Sequence, residues 1–93
     1  PPMTRAELIE ALETAQGAAN LIERLNAGEV SNTLDVLIEV ELSGGLCRAN
    51  SAGTKVIYAN KGREETYWAR DWSRHPVETV AALAAACLRA GGE

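Results

Sequence analysis

Thr33-Leu34-Asp35-Val36-Leu37-Ile38-Glu39-Val40-Glu41-Leu42 is the stretch on which the fold turns. Leu34, Val36, Ile38, Val40 and Leu42 recur at every second position, with Asp35, Leu37, Glu39 and Glu41 between them. Successive side chains of an extended chain alternate between two faces, so this spacing predicts a strand with one dry face and one acidic face. Asp35, Glu39 and Glu41 then form an outward stripe, with Leu37 stranded among them.

C-terminal to that stretch, Ser43-Gly44-Gly45-Leu46 has the composition of a tight hairpin. With Gly44 and Gly45 as the loop, Leu42 faces Cys47, Val40 faces Ala49, and Glu41 lies opposite Arg48. An opposite-charge cross-strand pair favours that register. A turn at Asn50-Ser51-Ala52-Gly53 leads to a third strand, Thr54 to Tyr58. Asn60-Lys61-Gly62 reads as a three-residue hairpin loop with glycine in the left-handed position. Glu65 to Arg70 gives a fourth strand.

Helices flank these strands. Thr4-Arg5-Ala6-Glu7 is a capping box, followed by Leu8, Ile9, Leu12 and Ala15 at helical spacing. Gly17 and a second box at Asn20 to Glu23 favour a pair of helices ending at Gly28, with one helix from Thr4 to Ala27 as the rival. Pro76 opens the last helix, capped by Ser73 or His75, with a buried stripe of Val77, Val80, Leu83, Ala84, Cys87 and Leu88, and Gly91-Gly92 ends it. The fold class is therefore α+β, a four-stranded antiparallel meander packed with an N-terminal helix or helix pair and a C-terminal helix. Pro1-Pro2 precede Met3, which reads as the natural start, so a single domain is placed at 4–91.

Composition narrows the function classes. The 93-residue chain is 46% apolar, which suits one folded domain. Its formal charge is −4. Residues 1–45 carry two basic and eight acidic side chains, and residues 46–93 carry seven and five. Sequence-independent nucleic-acid binding depends on neutralising phosphates, so direct nucleic-acid binding is not expected. A basic protein partner is. No apolar run is long enough for a membrane span and no export signal precedes the fold, which points to the cytoplasm. Cys47 and Cys87 read as buried free thiols.

No motif carries a reaction. The single histidine, His75, has no evident triad partner and reads as a cap or a surface residue. Zinc spacing, a P-loop and a dinucleotide fingerprint are all missing from the sequence. Asp35, Glu39 and Glu41 could ligate a hard cation, but a solvated strand face is the simpler account, so neither metal nor cofactor is expected. The aromatics Tyr58, Tyr67, Trp68 and Trp72 all lie in the last two expected strands or just after them. Tyr67 and Trp68 are adjacent, so on a strand they point to opposite faces. Exposed aromatics beside an acidic stripe are features of a partner surface. The residues expected to bind a partner are Asp35, Leu37, Glu39 and Glu41, supported by Tyr58, Trp68 and Trp72.

The segment Met3-Thr4-Arg5-Ala6-Glu7-Leu8-Ile9, the Gly17 break, the meander, and the alanine-rich closing helix with Cys87-Leu88-Arg89-Ala90 together resemble the phage alpha-beta-alpha sandwich domain, a family of small bacteriophage and prophage proteins. Gly28 to Gly53 departs from that pattern. The resemblance implies a non-enzymatic phage accessory protein in the bacterial host cell. It would bind and inhibit a host defence protein, in the manner of an anti-CRISPR protein acting on a CRISPR-Cas effector or another nucleic-acid-binding protein. The alternative is a structural phage protein that self-associates, as a homodimer, without inhibitory activity.

Overall fold

A computed structural model describes residues 4–90. Helix α1 spans Arg5–Asn26 and α2 spans Asn32–Ser43. Strands β1 (Cys47–Ala49), β2 (Val56–Asn60) and β3 (Arg63–Tyr67) follow, then a 3-10 turn at Trp72–Arg74 and helix α3 at Pro76–Ala90. The class is α+β. The sheet has three antiparallel strands in the order β1-β2-β3, not four. The missing strand is the alternating stretch itself, which is helical.

Helical geometry explains why a period-two pattern was compatible with α2. At about 100° per residue, Leu34, Ile38 and Leu42 cluster on one side, and Val36 and Val40 fall about 200° away on the other. Alternate apolar residues thus give a helix two opposed apolar sides, which suits a helix lying between two layers. Leu34 and Ile38 enter a core with Ala18, Leu21 and Leu25 of α1 and Leu83 of α3, and Leu42 packs against it. Val36 enters a second core with Cys47 and Val56 of the sheet, flanked by Val40, Ala49, Tyr58 and Ala69. Local signals agree with the helix. Ser31 caps α2, its Oγ accepting from Leu34 N at 3.1 Å. Asp35 lies in the first turn, where the helix dipole favours an anion. Gly44 closes α2 in the left-handed region at φ 64°.

Gly44 and Gly45 are therefore a helix terminus and connector rather than a hairpin loop. Leu42 does not face Cys47, nor Val40 Ala49. Cys47 pairs with Tyr58, and Ala49 with Val56. Glu41 does not meet Arg48, whose guanidinium reaches Glu64 at 2.8 Å instead. The β2–β3 loop is two residues long, since Asn60 pairs with Arg63. Lys61 (φ 51°) and Gly62 (φ 80°) both occupy the left-handed region, as the primed hairpin turn demands. Both strands start two residues away from their expected positions, so Trp68 and Arg70 lie past the end of β3.

The capping box at Thr4 forms as expected, with Glu7 N donating to Thr4 Oγ1 and Thr4 N to Glu7 Oε1. Gly17 does not break α1, which is one helix, and the second box at Asn20 starts nothing. A β-carbon at Gly17 would sit 2.6 Å from Glu41 Oε1, so α2 presses a side chain against α1 there. Helix α3 opens at Pro76, with the His75 carbonyl accepting from Thr79 N at 3.0 Å. Ser73 is not its cap, being buried against Ser31 and Asp35. The buried stripe is rotated from its expected phase. Thr79, Leu83 and Ala86 are inside, while Val77 and Leu88 are 78% and 75% exposed. Thr79 Oγ1 donates to the Trp72 carbonyl at 2.8 Å and ties the first turn of α3 to the 3-10 turn. Cys47 and Cys87 are free thiols. Pro1-Pro2-Met3 and Gly91-Gly92 lie outside the described residues.

Candidate functional site

The helix places Asp35 and Glu39 one turn apart, on the flank between its two apolar sides. Both carboxylates turn inward, so the expected acidic stripe does not exist. Asp35 is 7% exposed and accepts from Ser73 N at 2.7 Å. Glu39 is 5% exposed and holds several donors. Its Oε1 accepts from Arg70 N at 3.1 Å and from Trp72 Nε1 at 2.9 Å. Its Oε2 accepts from Tyr58 Oη at 2.6 Å, with Arg70 Nη1 at 3.9 Å. Together the two acids fasten residues 70–73 to α2. No buried side-chain nitrogen or oxygen among the described residues lacks a partner.

These contacts set the protonation state. Burial pushes the Glu39 carboxyl up, but the hydrogen bonds from Tyr58, Arg70 N and Trp72, aided by the Arg70 charge, outweigh it and hold the group below its ordinary value. The same carboxylate, with burial, drives the Tyr58 phenol far above its ordinary range. Glu39 is therefore an ionised, fully engaged anchor. Its oxygens are occupied by donors, which suits a structural role better than a general base.

Above this anchor opens a cleft of about 570 Å³. Glu39 and half-buried Tyr58 lie at its base, and Tyr67, Trp68 and Leu46 border it, 49%, 67% and 70% exposed. The Tyr58 and Tyr67 rings meet edge to face, with centroids 6.0 Å apart. Glu65 lines the cleft from β3, directly across from Tyr58. Its charge, with lesser contributions from burial and a hydrogen bond, raises the Tyr67 phenol. Two cations of the chain itself already use these aromatics. Lys55 Nζ lies 4.6 Å from the centre of the Trp68 ring, and Arg70 Cζ lies 5.9 Å from that of Trp72.

Of the residues expected to bind a partner, the cleft gathers Glu39, Tyr58 and Trp68. Trp72 packs against the helical core, with its indole N–H on Glu39 and the Arg70 guanidinium over its ring. Asp35 is buried apart from the cleft, bonded to Ser73. Leu37 and Glu41 fall on the other flank of α2, Leu37 39% exposed and Glu41 half-buried against α1, where burial raises its carboxyl. Tyr67, Glu65, Leu46 and Arg70 complete the cleft without having been expected there. A two-residue loop at Lys61-Gly62 was the signal that could have placed Glu65, because it puts Glu65 opposite Tyr58, whereas a three-residue loop puts Glu64 there. Among the described residues, no group of three or more His, Cys, Asp or Glu side chains is placed to hold a metal ion, and no helix is long and apolar enough to cross a membrane. No protein-family model, curated protein or solved structure matches the chain.

Proposed function

We propose that this protein is a non-enzymatic binding module that receives a basic group of a partner protein in the Tyr58–Tyr67–Trp68 cleft. The carrying observation is the pairing of exposed Trp68 and Leu46, 67% and 70% exposed, with a cleft that ends on carboxylates. Large aromatics beside a concave site are the usual anchors of protein interfaces. Glu39 and Glu65 give that site a negative lining, and the net charge of −4 favours a basic partner over a polyanion. The resemblance to phage accessory proteins would make the partner a host defence protein, such as a CRISPR-Cas effector, met in the bacterial cytoplasm. The engaging surface in this reading is the cleft, and the buried Asp35 takes no part.

The test is a titration with a basic peptide containing both lysine and arginine, followed by NMR. Amide and indole shifts are expected at Tyr67 and Trp68, and Trp68→Ala is expected to weaken binding by about tenfold or more, as for an interface anchor. Binding should weaken as salt screens the carboxylates. Shifts elsewhere, or unchanged affinity in Trp68→Ala, would remove the cleft from the account. Self-association is the second reading, favoured by Leu8, Ile9 and Leu12, which leave apolar surface exposed on the first turns of α1. Light scattering separates the two, because a dimer through α1 is indifferent to Trp68.

A further inference from the structure

Resting on that docking reading, we infer that the cleft selects an arginine side chain of the partner over a lysine. Three observations converge on a guanidinium.

The first is the acid that remains available. Glu39 is committed to Tyr58, Trp72 and the Arg70 backbone, and Glu64 is paired with Arg48. Glu65 forms no ion pair among the described residues and lines the cleft opposite Tyr58. The Glu65 carboxylate is exposed and takes a hydrogen bond from Tyr67, and its remaining acceptor sites match the planar fork of a guanidinium, whereas an ammonium meets it as a point charge.

The second is the character of the walls. Leu46, Tyr58, Ala59, Tyr67 and Trp68 make most of the lining apolar or aromatic. Guanidinium is more weakly hydrated than ammonium, so it enters such a cleft at a smaller desolvation cost and stacks flat on the rings. The third is the use that the chain already makes of its own cations. The ammonium of Lys55 lies over the Trp68 ring at 4.6 Å, so that ring face is taken for an incoming lysine and arginine alike and the discrimination falls to the rest of the cleft. The guanidinium of Arg70, 74% exposed, lies 3.9 Å from Glu39 at the edge of the cleft and 5.9 Å from Trp72. A guanidinium at the edge of the cleft therefore already lies near a carboxylate and an indole of this chain, the pairing that an incoming arginine would make with Glu65 and the cleft aromatics.

The experiment compares two peptides identical except that every basic residue is arginine in one and lysine in the other. Each is titrated by NMR into the wild type, Trp68→Ala and Glu65→Gln, with circular dichroism confirming that the exposed-site variants stay folded. Arginine is expected to bind about fivefold tighter than lysine, and Glu65→Gln is expected to abolish that gap. Equal, Trp68-dependent binding of both peptides overturns the arginine selection and leaves the docking reading standing. A gap that persists in Glu65→Gln also overturns it, since the fork to Glu65 is its basis. If neither peptide binds, the docking reading falls and this inference with it.

Discussion

Replacing Glu39 by alanine is expected to cost about 3–5 kcal/mol, the usual penalty for removing one partner from a buried charged network. In a domain of this size that is a fall of roughly 20 °C in melting temperature. The reason is the number of groups left behind. Tyr58 Oη, Trp72 Nε1 and Arg70 N all lose their acceptor at once, and Trp72 is packed against the helical core. Each stranded donor costs about 1–3 kcal/mol if water cannot reach it. Glu39→Lys is expected to be worse and to prevent folding, because it adds a cation beside those donors. Thermal melts read both outcomes. A melting temperature within a few degrees of wild type for Glu39→Ala would mean that the carboxylate is wet, as a strand at this position would leave it.

The sign of the pH dependence follows from the same anchor. The Glu39 carboxyl is held below its ordinary value of 4.5 in the folded protein. It therefore contributes stability that is fully present above 4.5 and is lost as pH falls through the folded value. In Glu39→Gln this part of the acid destabilisation disappears, so the melting temperature of the variant declines less steeply than that of wild type below pH 4.5.

Ile38→Asp is expected to abolish the fold. Ile38 is fully buried in the core formed by Ala18, Leu21, Leu25, Leu34 and Leu83. The substitution loses roughly 1.5–3 kcal/mol of apolar burial. It adds a desolvation penalty of several kcal/mol for an unpaired charge, which together approach the whole stability of a small domain. Leu37→Asp, one residue away but partly exposed on the flank of α2, is expected to change stability by about 1 kcal/mol or less. Near-ultraviolet dichroism and urea unfolding distinguish them. A folded Ile38→Asp would show that α2 does not separate two cores.

Local chemistry was legible in the sequence wherever one short signal decided the outcome. The Thr4–Glu7 box and the Pro76 start are of that kind, as is the presence of a hairpin at Lys61-Gly62, though not its loop length or register. The stretch 33–42 was not, because alternation cannot tell a half-buried strand from a helix buried on two sides. What separates them is long-range. The helix sits between the α1–α3 layer and the sheet, and only that arrangement gives both apolar sides something to cover. Ser31 before the run and Gly44 after it were the local hints toward the helix. The misreading then spread to the site, for turning 33–42 into a helix carries Asp35 and Glu39 from the solvent into the interior. Trp68 and Tyr58 line the cleft because they belong to the hairpin and its exit, outside the misread segment. Val77 and Leu88 were placed in the wrong phase because an alanine-rich helix has weak contrast between its faces, and a hydrogen bond from Thr79 to the Trp72 carbonyl holds it at the observed rotation.

Backbone Cα and Cβ chemical shifts of residues 32–43 decide between the two conformations without any mutation. A continuous run of helical secondary shifts from Asn32 to Ser43 is predicted, breaking at Gly44. Extended values through Val36, Ile38 and Val40 would contradict it, and would take the Glu39 anchor and the cleft above it down together.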